Sequence, residues 1–445
     1  MEPRRPMIFS LLWMLCCAAI AGQEAPIPAV DELNGRPYAI RQTWVIGGTG
    51  NWDYLTLDAN ARQLFIAHQN AVQVVDVTTG KVSGQVEGLV DAHEVVLDPD
   101  GHTGYVSDGR AGLIRIFDRG SYEITATLPI AAMPRSMVLE PQTGLLFVFG
   151  ALPVASPVSP QRLNRGRTRL EPARTEQEPT FCSPPTNQYP RPTGPQSLIT
   201  VIDPVKRANV ALIQLCGTVG AAQADGAGRV YFTVENLAKV GRLDSAAILN
   251  FSSDSRSAER ARVNGMVNAD GTVSLDLRTK GAAPSTGIFR TMISEQLEMY
   301  GLGPECQNAS ALALDAAHAR LFAGCANQRV QVLNTDDGQA VADLTIGPGV
   351  DVMAYDAGRG LLFTANGGGY GSVSVIRQHV TDTYSVIQNL PTMQQARTLA
   401  VDGSTGNVYL VTTLYGAKLD TPRNGIGKLK MNPVDGSFQV IVVGN

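Results

Sequence analysis

Histidine and tryptophan are scarce: the chain has five of one and three of the other in 445 residues. No two histidines stand at the His-x-x-x-His spacing of a helical zinc site, and the cysteines are too dispersed for a zinc signature. There is no Cys-x-x-Cys-His, which excludes covalent c-type haem attachment through that motif. Gly-x-Ser-x-Gly, His-Glu-x-x-His and Gly-x-x-x-x-Gly-Lys are also missing. Their absence removes the motif-bearing serine hydrolases, zinc peptidases and phosphate-loop NTPases. No sign of charge dominates, the formal net charge being −4. A broad basic stripe for a phosphate backbone is therefore not expected. Beyond the first 21 residues no apolar run approaches the ~20 residues of a membrane span.

What is present starts with a leader. Arg4 and Arg5 precede an apolar run from Met7 to Ala21, interrupted by Ser10, and Ala19-Ile20-Ala21 offers a small-x-small cleavage site. Residues 1–21 are expected to be a cleaved signal peptide, with 22–38 a linker, the mature protein being periplasmic or secreted with no membrane anchor. Losing Glu2, Arg4 and Arg5 takes the formal charge from −4 to −5. Four cysteines remain: Cys182, Cys216, Cys306 and Cys325. In an exported chain they suggest disulfides, for which three connectivities exist. Chain proximity favours Cys182 with Cys216 and Cys306 with Cys325.

Glycine (45) and proline (26) punctuate segments rich in Val, Ile, Phe, Tyr and Thr, a pattern of short strands and turns. The strands repeat. An apolar strand ends in an acidic residue, and after a turn a second strand carries a central Phe or Tyr. Trp52-Asp53-Tyr54-Leu55-Thr56-Leu57-Asp58 with Leu64-Phe65-Ile66 is the first copy. The markers are Asp58, Asp98, Glu140, Asp225, Asp315, Asp356 and Asp402. Four of their six spacings are 40, 42, 41 and 46 residues; the other two, 85 and 90, are one period plus an insertion each. A third strand such as Val72-Gln73-Val74-Val75-Asp76, and a fourth such as Lys81 to Val86, complete most units. Four strands in about forty residues is the arithmetic of a propeller blade. The expected fold is an all-β, seven-bladed β-propeller over residues 39–445, with Ala39 to Ile46 pairing to the last blade.

The insertions are placed at about 151–196 and 250–305. The first is proline-rich, with six arginines against three glutamates, and is expected to be a structureless loop between the second and third strands of blade three. The second is expected to hold a hairpin around Ala269-Asp270-Gly271-Thr272 and a short helix near Arg290 to Tyr300. It lacks the acidic marker and the Phe/Tyr pairing, so seven blades are expected rather than eight.

Gly47-Gly48 through Asn51-Trp52-Asp53-Tyr54-Leu55, the Tyr105-Val106-Ser107-Asp108 stretch, Val350-Asp351, the Cys306 to Cys325 unit and the terminal Gly436 to Gly444 segment are the carriers of a likeness. On them the chain resembles the YVTN-type propellers, in particular the exported bacterial YncE-like family. The resemblance covers about 40 to 445 without the insertions. It implies a seven-bladed ring, usually without assigned catalysis, some members being linked to nucleic acid or to partner proteins. Blade four departs from it at Val219-Gly220, where a Pro-Glu pair is common.

Taking the residue five positions before each marker gives Asp53, His93, Arg135, Gly220, Ser310, Asp351 and Arg397. In a propeller, equivalent positions on the innermost strands form a ring around a central channel. Asp53, His93, Arg135, Asp351 and Arg397 therefore stand as ligand-binding candidates at a channel mouth, where guanidinium suits an anionic group. A self-neutralising ring of ion pairs is the competing reading. His68, Asp108 and Asn366 occupy matching positions after the second strands and could offer a His–carboxylate–amide set. Structural hydrogen bonding is their ordinary use, so no metal or cofactor is assigned. Trp52 could stack on a ligand or pack between blades. Asp98-Pro99-Asp100-Gly101 and Asn334-Thr335-Asp336-Asp337-Gly338 lack EF-hand spacing and read as turns.

These residues point first to a monomeric, non-catalytic binding or scaffold protein for a small polar ligand or a partner protein. A hydrolase, lactonase-like or redox-associated enzyme at the channel mouth is the alternative. Nucleic-acid binding is a further one, disfavoured by the net charge.

Overall fold

The computed structural model describes residues 36–152, 195–253, 265–267, 273–275, 297–380, 382–420 and 428–445. Seven four-stranded antiparallel sheets make up the fold. Blades 1 to 6 begin with the strands Trp52–Asp58, Ala92–Leu97, Met133–Glu140, Val219–Ala224, Ala309–Asp315 and Val350–Asp356. Each of these runs in order into the strands that follow it. Blade 7 begins with Leu399–Val401 and takes its outermost strand, Ala39–Val45, from the other end of the chain. The seven first strands contact one another in sequence, and Leu399–Val401 contacts Trp52–Asp58, so the ring closes on its own inner strands. Closure is antiparallel, with Ala39 opposite Gly444 and Val45 opposite Gln439, as the repeat analysis expects.

Every blade is a sheet apolar on both faces, which forces it between two others. The central aromatics of the second strands, Phe65, Tyr105, Phe147, Tyr231, Phe322, Phe363 and Tyr409, are all buried. Fully burying each such ring contributes about 2–3 kcal/mol. Other aromatics bridge blades: Phe149 packs on Phe232 at 5.3 Å between blades 3 and 4, and Trp52 on Phe438 at 5.4 Å between blades 1 and 7.

The acidic markers have a mechanical role at the far end of the inner strands. Asp58, Asp315 and Asp356 each accept a backbone N–H from the turn that follows, and Glu140 and Asp402 each accept two. The same carboxylates tie neighbouring blades. Arg62 of blade 1 pairs with Asp402 of blade 7 at 2.6 Å, and Arg119 of blade 2 pairs with Asp58 of blade 1. Ser245 and the Gly228 N–H of blade 4 donate to Glu140 of blade 3.

The first insertion falls where expected, after Leu145–Ala151 and before Gln196–Asp203, but its interior lies outside the described residues. In the second, the expected hairpin is present as Gly265–Val267 paired with Val273–Leu275. The expected helix near Arg290 to Tyr300 needs correction: Leu297–Gly301 is a strand, pairing with Lys239–Asp244 as the outer edge of blade 4, and residues 276–296 lie outside the described ones. A helix the sequence reading missed, Ser245–Ser253, follows Asp244, whose carboxylate accepts the Ala247 N–H at 2.9 Å. A further hairpin, Tyr415–Asp420 with Lys428–Pro433, rises from blade 7. Among the described residues no helix is long and apolar enough to cross a membrane. Cys306 and Cys325 form the expected disulfide; Cys216 is buried at the end of Ala208–Cys216, and Cys182 lies outside the described residues.

Burial opposes ionisation of Asp402, but donors from Ser404, Arg62 and Thr405 prevail and hold its carboxyl well below the usual range. A depressed carboxyl stabilises the fold above the unfolded-state value near ~4, and that contribution is lost as pH falls toward the folded-state value. Asp402→Asn should therefore lower stability at pH 7 by about 2 kcal/mol in urea unfolding. The gap to wild type should narrow steadily below pH ~4; a gap independent of pH would contradict the assignment.

Candidate functional site

In all six blades whose first strand pairs from its start, the register slips near that start, directly after the first residue pair in five of them and after the second in blade 3. The skipped residues are Asp53 with Tyr54, His93 with Glu94, Arg135, Gly220 with Ala221, Ser310, and Asp351. In blade 7 ladder pairing starts only at Leu399, leaving Arg397 and Thr398 ahead of it. A bulge frees a residue from the ladder and re-aims its side chain. Here it does so at the same height in blade after blade, at one mouth of the channel.

The ring residues are brought together. His93 Nδ1 lies 2.6 Å from an Asp53 carboxylate oxygen, joining blades 1 and 2, and His93 Nε2 lies 3.3 Å from Asp91. Asp91 also faces Arg110 Nε at 3.4 Å. Across the mouth, Arg397 Nε is 3.6 Å from Asp351, and Arg397 donates to the Trp52 carbonyl at 3.0 Å, linking blade 7 to blade 1. Ser310 donates to the Val350 carbonyl at 2.8 Å. The guanidinium of Arg135 is exposed and has no hydrogen-bond or ion-pair partner among the described residues. Its charge is felt by Glu235 and by Asp351.

Besides Asp91 and Arg110, three members of the site are not among the sequence candidates. Glu94 adjoins His93 in the bulge and accepts the Met137 N–H of blade 3. Burial pushes its carboxyl up to about 8, against that hydrogen bond and with help from the Asp53 charge. Glu235 follows the second strand of blade 4, and burial raises it to about 7, opposed by Arg135 and aided by Asp351. Tyr54, in the bulge of blade 1, is held well above its ordinary range by burial and then by Asp53, Glu94, Asp351 and Glu235. Those four carboxylates come from blades 1, 2, 6 and 4, so they face one phenol through the channel.

Glycines explain how the side chains fit. A Cβ on Gly109 would lie 2.5 Å from His93 Nε2, and one on Gly367 would lie 2.6 Å from Arg397 Cβ. Blade 4 reverses the arrangement. Its ring position is Gly220, where a Cβ would lie 2.7 Å from Glu235 Oε1. The carboxylate of Glu235 thus occupies the space the ring residue vacates. Glycine at one of two facing positions with a charged residue at the other was the available signal for Glu235.

The remaining candidates are buried and engaged in packing or hydrogen bonds. His68 is buried, bonded through Nδ1 to Gln73 Oε1 at 2.8 Å and stacked on Phe438 at 4.0 Å. Asp108 is fully buried, accepting the Val90 and Asp91 N–H groups and facing Arg115 at 3.3 Å. Asn366 is fully buried and donates to Ser372 and Ser374. Trp52 is buried between blades 1 and 7. Among the described residues no group of three or more His, Cys, Asp or Glu is disposed to hold a metal ion. In the turns Asp98 to Gly101 and Asn334 to Gly338, the first side chain accepts a backbone N–H two residues on, as turn chemistry requires. A separate cleft of about 430 Å³ lies between blades 2 and 3 at the opposite face, lined by Asp98, Tyr105, Asp118, Val205 and Arg207.

No protein-family model matches the chain, and no curated protein sequence does. Solved structures do. The chain is similar to one in the crystal structure of the mitotic checkpoint complex, with a TM-score of 0.55 at 11% identity, covering 90% of this chain and 95% of that one. It is similar to the structure of U3-55K as well, with a TM-score of 0.55 at 10% identity, covering 91% and 98%. Likeness at that identity shows the fold alone: a WD40-like seven-bladed β-propeller.

A carboxyl raised by folding has the opposite linkage to Asp402. Folded Glu94 keeps its proton from 4.5 up to about 8 while the unfolded chain has released it, so its ionisation erodes stability as pH rises through that window. Glu94→Gln removes the erosion and keeps an acceptor for Met137. Relative to wild type, the variant should be more stable at pH 8 than at pH 5, by on the order of 1 kcal/mol or more in thermal melts. An equal difference at both pH values would refute a raised Glu94.

Proposed function

We propose that this protein is an exported, monomeric, non-catalytic binding platform of the YncE-like type, holding a small polar ligand at the channel mouth. The observation that carries the reading is Arg135: a guanidinium without a direct partner among the described residues, in a ring whose other cations are paired. A rigid closed ring suits recognition, because its side chains are held before the ligand arrives.

The enzyme reading asks for a group able to take a proton from water. His93 is the natural choice, but both its ring nitrogens are engaged by carboxylates, at 2.6 and 3.3 Å. Nucleic-acid binding is opposed by the formal charge of −4. The sequence motifs from Gly47 to Leu55 support the YncE-like assignment, and the leader at 1–21 supports export.

Native against denaturing mass spectrometry of the mature protein, purified from its exported compartment, tests the proposal. The expected result is extra mass lost on denaturation and absent from Arg135→Ala. A bare monomer mass, a co-purified protein, or a ligand mass kept by Arg135→Ala would count against it.

A further inference from the structure

The groups at the mouth pair off until three remain. Asp91 with Arg110 and Asp351 with Arg397 are ion pairs, and Asp53 is hydrogen-bonded to His93 at 2.6 Å. Arg135, Glu94 and Glu235 are left over. Glu94 is faced by Asp53 and Tyr54 from the first strand of blade 1, with His93 next to it in sequence on its own strand. From blade 3 it meets the strand of Arg135, which stands two residues before the Met137 whose N–H it accepts. Glu235 is faced by Arg135 from blade 3 and Asp351 from blade 6, with uncharged Gly220 and Ser310 beside it. His68 and Asp108, on the neighbouring strands of blades 1 and 2, are engaged by Gln73 and Arg115. With both glutamic acids neutral the three leftover groups sum to one positive charge, and with both ionised to one negative charge.

Resting on the reading above, we propose that the mouth binds a small oxyanion, a carboxylate or a phosphate group, at Arg135, and takes up a proton on Glu94 or Glu235 as it does so. A guanidinium presents paired donors to such an anion. A neutral carboxyl beside it donates an O–H to the anion, where an ionised one repels it. Burial pushes the carboxyls of Glu94 and Glu235 up to about 8 and about 7, so the mouth gains negative charge as pH rises through neutrality. Linkage then requires the reciprocal effect: a bound anion strengthens the hold of both carboxyls on their protons.

The test is calorimetric titration of the mature protein with succinate and, separately, with inorganic phosphate, at pH 6 and pH 8.5. At pH 7.5 each is repeated in two buffers of different ionisation enthalpy. For at least one anion we expect binding at least tenfold tighter at pH 6, net proton uptake at pH 7.5, and loss of binding in Arg135→Ala. In the Glu94→Gln, Glu235→Gln double variant the affinity ratio between the two pH values should fall to near one. Binding lost in Arg135→Ala but equal at both pH values would overturn the proton coupling and leave the channel-mouth reading standing. Binding kept by Arg135→Ala would overturn both. Failure of both anions to bind at pH 6 would overturn the oxyanion assignment, while the mass measurement still decides whether the mouth holds a ligand.

Discussion

The pairing of Ala39–Val45 with Gln439–Gly444 is the interaction on which the rest depends. A single blade has two apolar faces and cannot bury both. Only a closed ring gives every blade two neighbours, and only a closed ring gives the inner strands a common axis. Break the closure and Arg397 no longer reaches the Trp52 carbonyl, nor Arg62 the buried carboxylate of Asp402. The site is a property of the ring, not of any blade.

Each inner strand has two ends with opposite uses. At one end a carboxylate accepts turn N–H groups and, in several blades, ties the next blade, as Asp58 does with Arg119 and Asp402 with Arg62. At the other end the ladder is broken by a bulge, and side chains leave the sheet for the channel. Strain and freedom are thus separated along the strand. Glycine completes the design at Gly109 and Gly367, where any Cβ would collide with His93 or Arg397.

The fold was legible because its signals are local and repeated: an acidic turn cap and a buried aromatic recur along the chain. The same marker also indexes Asp53, His93, Arg135, Asp351 and Arg397 to equivalent positions at the start of successive inner strands. What escaped was non-local. Leu297–Gly301 contains helix-favouring Glu298 and Met299, yet becomes a strand because Lys239–Asp244 offers it an edge across a long insertion. Asp244 ends the third strand of blade 4 and is also the cap of Ser245–Ser253. Glu94 is hidden because a bulge presents two consecutive residues where plain alternation would present one, and Glu235 because it follows the second strand of blade 4 rather than opening a first strand. His68, Asp108 and Asn366 match in sequence position, but each has a side-chain partner within its own blade.

Hydrogen exchange of the mature protein, followed amide by amide by mass spectrometry or NMR, tests ring closure most directly. If closure holds the molecule together, the amides of Ala39–Val45 and Gln439–Gly444 should exchange only through global opening, at the same free energy as the inner strand Trp52–Asp58. Exchange of Ala39–Val45 through local fraying, while Trp52–Asp58 stays protected, would contradict the account.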